Sequence, residues 1–233
     1  MNTINKIAAR FILSVAAVTF TATASLSAPI TVPAGLNPGD QYRLAFVTST
    51  TRDAHSGNIA DYNAFVTAAA NTQATLAALG TTWMAIASTT TVDARDNTGT
   101  NPSSTGFPIY LLDAASTKLA DNNADLWGGS IDAALNINEA GDVVLDTLVW
   151  TGTTHSGTAS PNLELGDGRP GVGFSPATSD SWIALTGELQ HNLLPLYAVS
   201  GVLTVAQVAE PGALGVLALG LVGLAVMRRK RMS

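Results

Sequence analysis

Two short runs of oxygen-bearing side chains could hold a hard cation. Asp93-Ala94-Arg95-Asp96-Asn97-Thr98-Gly99 is one, and Asp121-Asn122-Asn123-Ala124-Asp125 is the other. Calcium takes roughly six to eight oxygen ligands, and Asp/Asn loops can supply several of them. Neither run has the alternating acids, central Gly and late Glu of an EF-hand. Asp and Asn also build ordinary turns by bonding their own backbone. Turn formation is the expected role of Asp93, Asp96, Asp121 and Asp125, with calcium as the alternative, and no metal site is assigned. The histidines are His55, His155 and His191, the first two each in the tripeptide His-Ser-Gly. With Asp53 they could bind zinc or serve a hydrolase. There is no HExxH helix and no Gly-x-Ser-x-Gly elbow, so no catalytic residue is assigned.

Aromatic rings offer a second kind of chemistry, stacking on sugar rings. Trp83, Trp150 and Trp182 fall in apolar, strand-like segments and are expected in the core. Trp127 precedes Gly128-Gly129 and is the tryptophan expected at the surface. Glycines at 166, 168, 171 and 173 lack the following Lys and helix of a phosphate loop, and read as loop.

These groups must be positioned by elements that the hydrophobic pattern outlines. Tyr42–Thr48 alternates and is rich in aromatic and β-branched residues, which predicts the first strand. Asn58–Leu79 carries apolar residues at helical spacing, with Asn58 to cap it and Gly80 to stop it. Further strands are expected at Trp83–Ser88, Pro108–Leu112, Val143–Leu145, Leu148–Gly152 and Ser181–Leu185. Thr117–Asp125 suggests one helical turn, and residues 153–180 a long loop. Pro195–Val205 closes the body as one strand or a tight hairpin through Ser200-Gly201. Strands outnumber helices, so the expected class is α+β with a mostly antiparallel sheet and one long early helix.

Charge is scarce and sorted by position. Charged residues make up 12% of the 233-residue chain, against roughly 25% in ordinary soluble domains. Between Asp40 and Glu188, five bases (Arg43, Arg52, Arg95, Lys118, Arg169) face sixteen acids, leaving −11. Such a body repels phosphate backbones, which argues against nucleic acid as a partner. A cation or a neutral saccharide is compatible with it. The chain has no cysteine, which excludes disulfides, thiolate metal sites and cysteine nucleophiles.

The remaining bases lie at the two ends. Residues 1–28 read as a secretory signal. Lys6 and Arg10 give the positive region, Phe11–Phe20 the apolar one, and Ala22-Thr23-Ala24 a cleavage site, with cleavage expected within residues 24–28. The last segment, 208–233, joins Ala209-Glu210-Pro211 to an uncharged run, Gly212–Met227, and a basic end, Arg228-Arg229-Lys230-Arg231. The run suits hydrocarbon, and the basic end keeps to the cytoplasm, so the body at 29–207 is expected outside.

This three-part ending resembles the PEP-CTERM sorting signal of Gram-negative, exopolysaccharide-producing bacteria, with Ala209 in place of the first proline. The resemblance implies a membrane-inserted precursor, processing by an exosortase after signal peptidase, and a cell-surface or extracellular address. The body resembles bacterial secreted domains related to C-type lectin-like and endostatin-like folds. The stretches that carry this likeness are Ala45–Thr51, Trp83–Ser88, Ala124–Gly129 and Val149–Thr153. That resemblance implies a lectin-like fold, and a structural or binding component of an exopolysaccharide or biofilm matrix, with polysaccharide as a partner. A secreted hydrolase of surface polymers using His55 or His155, and a permanently anchored membrane protein, are the alternatives.

Overall fold

β1 (Gln41–Val47) is the strand to which the rest of the body is attached. The computed structural model describes residues 29–207. Tyr42 to Val47 are all buried, because β1 is flanked on both edges and covered on both faces. One edge pairs in parallel with β3 (Ile109–Leu111), placing Arg43 opposite Ile109. The other pairs antiparallel with β8 (Tyr197–Ser200) and then with β9 (Leu203–Thr204). β2 (Trp83–Ala85) extends the sheet beyond β8, and β4 (Lys118–Ala120) extends it beyond β3. Only the β1–β3 pairing in this sheet is parallel. A second, antiparallel sheet is made of β5 (Leu148–Trp150), β6 (Gly171–Phe174) and β7 (Thr186–Gly187). It joins the first where Trp150 bridges Leu196 and where the Ser88 N–H donates to the Thr151 carbonyl at 2.8 Å. The body is α+β, mostly sheet with few helices, as its patterning implies. Among the described residues no helix is long and apolar enough to cross a membrane.

The early helix forms where expected and stops sooner. α1 (Ile59–Asn71) starts under the Asn58 cap, whose side chain accepts from the Ala60 N–H at 3.1 Å. It buries Tyr62, Val66, Ala69 and Ala70 and packs on β2. Asn71-Thr72 are weak helix formers, and the Thr72 hydroxyl bonds back to the Ala69 carbonyl at 2.7 Å. Gln73 is extended, and a separate turn, α2 (Ala74–Ala77), follows and buries Leu76. The helix predicted over Asn58–Leu79 is therefore two helices.

Other departures share one cause: a short apolar run does not say which neighbours will pair with it. Val143–Leu145 is no strand; Ile137 and Val143 form a lone bridge, and Leu145 is 81% exposed. Ser181–Leu185 is not a strand either, for Asp180–Trp182 forms a 3-10 turn that drives Trp182 into the core. The turn predicted within Thr117–Asp125 is preceded by β4 and becomes α4 (Asn123–Leu126). The closing segment makes two strands that both pair with β1 rather than with each other. β6 lies inside the glycine-rich stretch read as loop. Its Gly173 faces the Trp182 backbone so closely that a Cβ there would sit 1.9 Å from the Trp182 carbonyl oxygen. Gly173→Ala is expected to destabilise by about 3 kcal/mol or more, the upper range for overpacking. Gly168→Ala, with open space around it, is expected to change little. Urea midpoints of the two variants check the contrast.

Between β8 and β9 the ladder on β1 breaks, and side chains complete it. The Leu44 N–H donates to Ser200 Oγ at 2.9 Å, and Arg43 Nη1 donates to the Ser200 carbonyl at 2.8 Å. Arg43 also reaches the Thr98 and Gly99 carbonyls, which follow α3 (Ala94–Asn97). No acid pairs with this buried guanidinium among the described residues, and burial pulls its pKa below the usual arginine value. Just past the break, the Gly39 N–H donates to the Val205 carbonyl and the Val205 N–H to the Asp40 carbonyl, at 3.0 and 2.9 Å. Ser200→Ala leaves a buried N–H unpaired and is expected to lower stability by about 1–3 kcal/mol, read from chemical denaturation, while Ser200→Thr retains the acceptor.

Candidate functional site

The aspartates singled out by type are divided by the fold. β4 delivers Asp121 to the surface, and Asn122 caps α4 by accepting from the Asp125 N–H at 3.1 Å. Asp125 turns back and accepts from the Asp121 N–H at 2.7 Å. Asp132 is brought alongside by its own N–H, which donates to the Leu119 carbonyl at 2.9 Å. One carboxylate oxygen from each of Asp121, Asp125 and Asp132 lies within 4.8 Å of the others. Three such oxygens are part of a calcium sphere and would need backbone or water oxygens to complete it. Lys118 already bonds Asp121, and that hydrogen bond raises the lysine's pKa. The ammonium competes with any entering cation for the Asp121 carboxylate.

Asp93 and Asp96 are used differently. Asp93 accepts from the Ala159 N–H at 2.7 Å and lies 3.8 Å from Arg95, which ties the loop after β5 to α3. Asp96 accepts from Asn101 at 3.0 Å. Neither joins a metal-competent group among the described residues. Asp132 escaped sequence reading because the strand that sets its neighbour, β4, lies in a segment that reads as polar turn.

Trp127 is not at the surface. It is 5% exposed, its indole N–H donates to the Thr100 carbonyl and hydroxyl at 3.0 Å each, and its ring centroid lies 6.1 Å from that of Trp182. Gly157 lies against the ring, and a Cβ there would come within 2.7 Å of it. The glycines after Trp127 suggested exposure; local pattern cannot reveal that Gly157, thirty residues on, covers the ring. 

Among the described residues no histidine side chain makes a hydrogen bond to a carboxylate or a serine. His55 Nδ1 lies 3.6 Å from Asp53 Oδ1, both in one exposed loop, outside hydrogen-bond distance. His155 is exposed and has no ion-pair partner among the described residues. The serine nearest His55 in sequence, Ser56, donates to Asp61 instead.

A larger concavity lies elsewhere, between α1 and β2. It is an open trough of about 570 Å³, lined by Asn63, Ala64, Thr67, Ala68 and Asn71 of the helix and by Thr81 to Met84. Its inner wall seals the sheet edge. The Asn63 Oδ1 accepts from the Ala85 N–H at 2.8 Å, Thr67 donates to the Trp83 carbonyl at 3.1 Å, and Asn97 donates to the Ala85 carbonyl at 2.8 Å. Sequence reading missed this feature, although Ala64 and Ala68, four apart on one helix face, were its signal.

No protein-family model matches the chain, and no curated protein matches it significantly. Ala209, Glu210, Pro211 and the basic residues Arg228, Arg229, Lys230 and Arg231 lie outside the described residues, as do the signal at 1–28 and the apolar run at 212–227.

All four tryptophans are at most 5% exposed. Trp127→Ala is therefore expected to act on stability, lowering it by about 3–5 kcal/mol in chemical denaturation. An unchanged denaturation midpoint would refute the packing role given to this ring.

Proposed function

We propose that the chain is an exported protein, sorted through a PEP-CTERM-like tail to the cell surface or the medium. There its lectin-like domain is a structural or binding component of an exopolysaccharide matrix. The observation that carries this reading is the ending itself: Glu210-Pro211, an uncharged run of sixteen residues from Gly212 to Met227, then four consecutive bases. At 1.5 Å per residue such a run makes about 24 Å of helix, short of the roughly 30 Å hydrocarbon core. A short, glycine-rich span is weakly held, which suits a temporary anchor removed by an exosortase-type enzyme. The −11 charge of the body, against a basic end, suits a body outside and a tail end inside.

The arrangement of the body is in keeping with this. Gly39 and Asp40 are hydrogen-bonded to Val205, so the last described residues leave beside the start of β1. A domain tethered there holds its second sheet, which joins the main sheet past the other end of β1, away from the point of attachment. The mostly antiparallel α+β body with one longer early helix supports the lectin-like part of the reading.

Mass spectrometry of the full chain, produced in an exosortase-bearing Gram-negative host, tests the sorting. The mature protein is expected to begin within residues 25–29 and to lack the basic end, and Pro211→Ala is expected to retain it. Recovery of the wild-type protein with Ser233 intact would overturn the processing claim.

A further inference from the structure

We propose that the trough between α1 and β2 binds an uncharged carbohydrate chain. This rests on the reading of the protein as a matrix component and names the site and ligand class for it. The trough's volume, about 570 Å³, falls within the roughly 300–1,000 Å³ typical of small-molecule sites.

Charge selects the ligand. None of the nine lining residues is ionisable, although the body carries sixteen acids and five bases. A cationic ligand finds no carboxylate in the trough. An anionic one finds no base there and meets a net negative body. The lining suits a neutral molecule with an apolar face and a hydrogen-bonding edge. Ala64, Ala68 and Met84 give small and apolar surface, while Asn71, Thr81 and Thr82 offer an amide and two hydroxyls at the end where α1 stops. Asn71 and Thr82 are exposed. A sugar ring has both features, with C–H groups on its face and hydroxyls around its edge.

The sheet edge argues against the other natural occupant, an added peptide strand. Strand addition draws its affinity from free backbone groups. Here the Trp83 carbonyl and both backbone groups of Ala85 are already bonded by Thr67, Asn63 and Asn97.

The test uses the full chain in detergent micelles, with dextran and a galactomannan as neutral probes and alginate as an acidic one. Wild-type protein is expected to bind a neutral polymer without added metal. Ala68→Arg, at an exposed position, is expected to weaken binding at least tenfold with an unchanged melting temperature. The double variant Asn71→Ala/Thr82→Ala is expected to weaken it severalfold, and Asp121→Asn to leave it unchanged. Neutral binding that survives Ala68→Arg would move the site elsewhere and overturn the trough assignment while leaving the matrix role standing. Binding of alginate alone, or of no polymer, would also overturn it. So would loss of a dimer in Ala68→Arg without any glycan binding, which would identify a second copy as the occupant. The sorting claim is read separately, from the mature termini, so the two can fail independently.

Discussion

The burial of β1 is the constraint on which the rest of the structure depends. A strand covered on both faces cannot turn to water for its hydrogen bonds, so every N–H and C=O must find a partner along its edges. β3 supplies one edge. The other is shared by β8 and β9, which leave a gap opposite Leu44. Ser200 fills the gap with its hydroxyl, and Arg43 takes up the Ser200 carbonyl. The same guanidinium holds the carbonyls that end α3. One buried cation thus ties the first strand, the last strands and an intervening loop together. A buried charge is tolerable on these terms because carbonyl dipoles replace much of its hydration.

The same need for partners governs the side chains that looked available for chemistry. Asp93 and Asp96 spend their oxygens on backbone and side-chain donors within the fold. Trp127 spends its N–H on Thr100 and its ring on Trp182 and Gly157. With no cysteine to staple it, the body is held by packing and polar contacts, and polar residues are drawn into that service. Groups left over are found at the surface, in the aspartates after β4 and in the rim of the trough beside α1.

Much of the fold was legible because periodicity reports burial. The start of α1 under Asn58 and the position of β1 follow from local pattern, capping chemistry and β-branched content. The failures were of pairing. Gly171–Phe174 reads as loop because its glycines have no side chain to show a period, yet the close approach of Trp182 requires one of them. Ser181–Leu185 reads as strand because Trp and Ile look the same whether a sheet or a turn buries them. At the candidate sites, Asp121 and Asp125 were visible as a local run. Asp132 was not, since only the pairing with Leu119 sets it beside them.

Local information alone set the chain's composition-level properties: the absence of thiol chemistry, the acidic body between basic ends, the apolar run near the C-terminus and the α+β class. These depend on residue type and on neighbours a few positions away. Tertiary structure decided which polar groups remain free. Whether Trp127 meets solvent depends on Gly157, and whether the edge of β2 is open depends on Asn63, Thr67 and Asn97. Exposure and hydrogen bonding are properties of contacts between distant segments, and no spacing within one segment contains them.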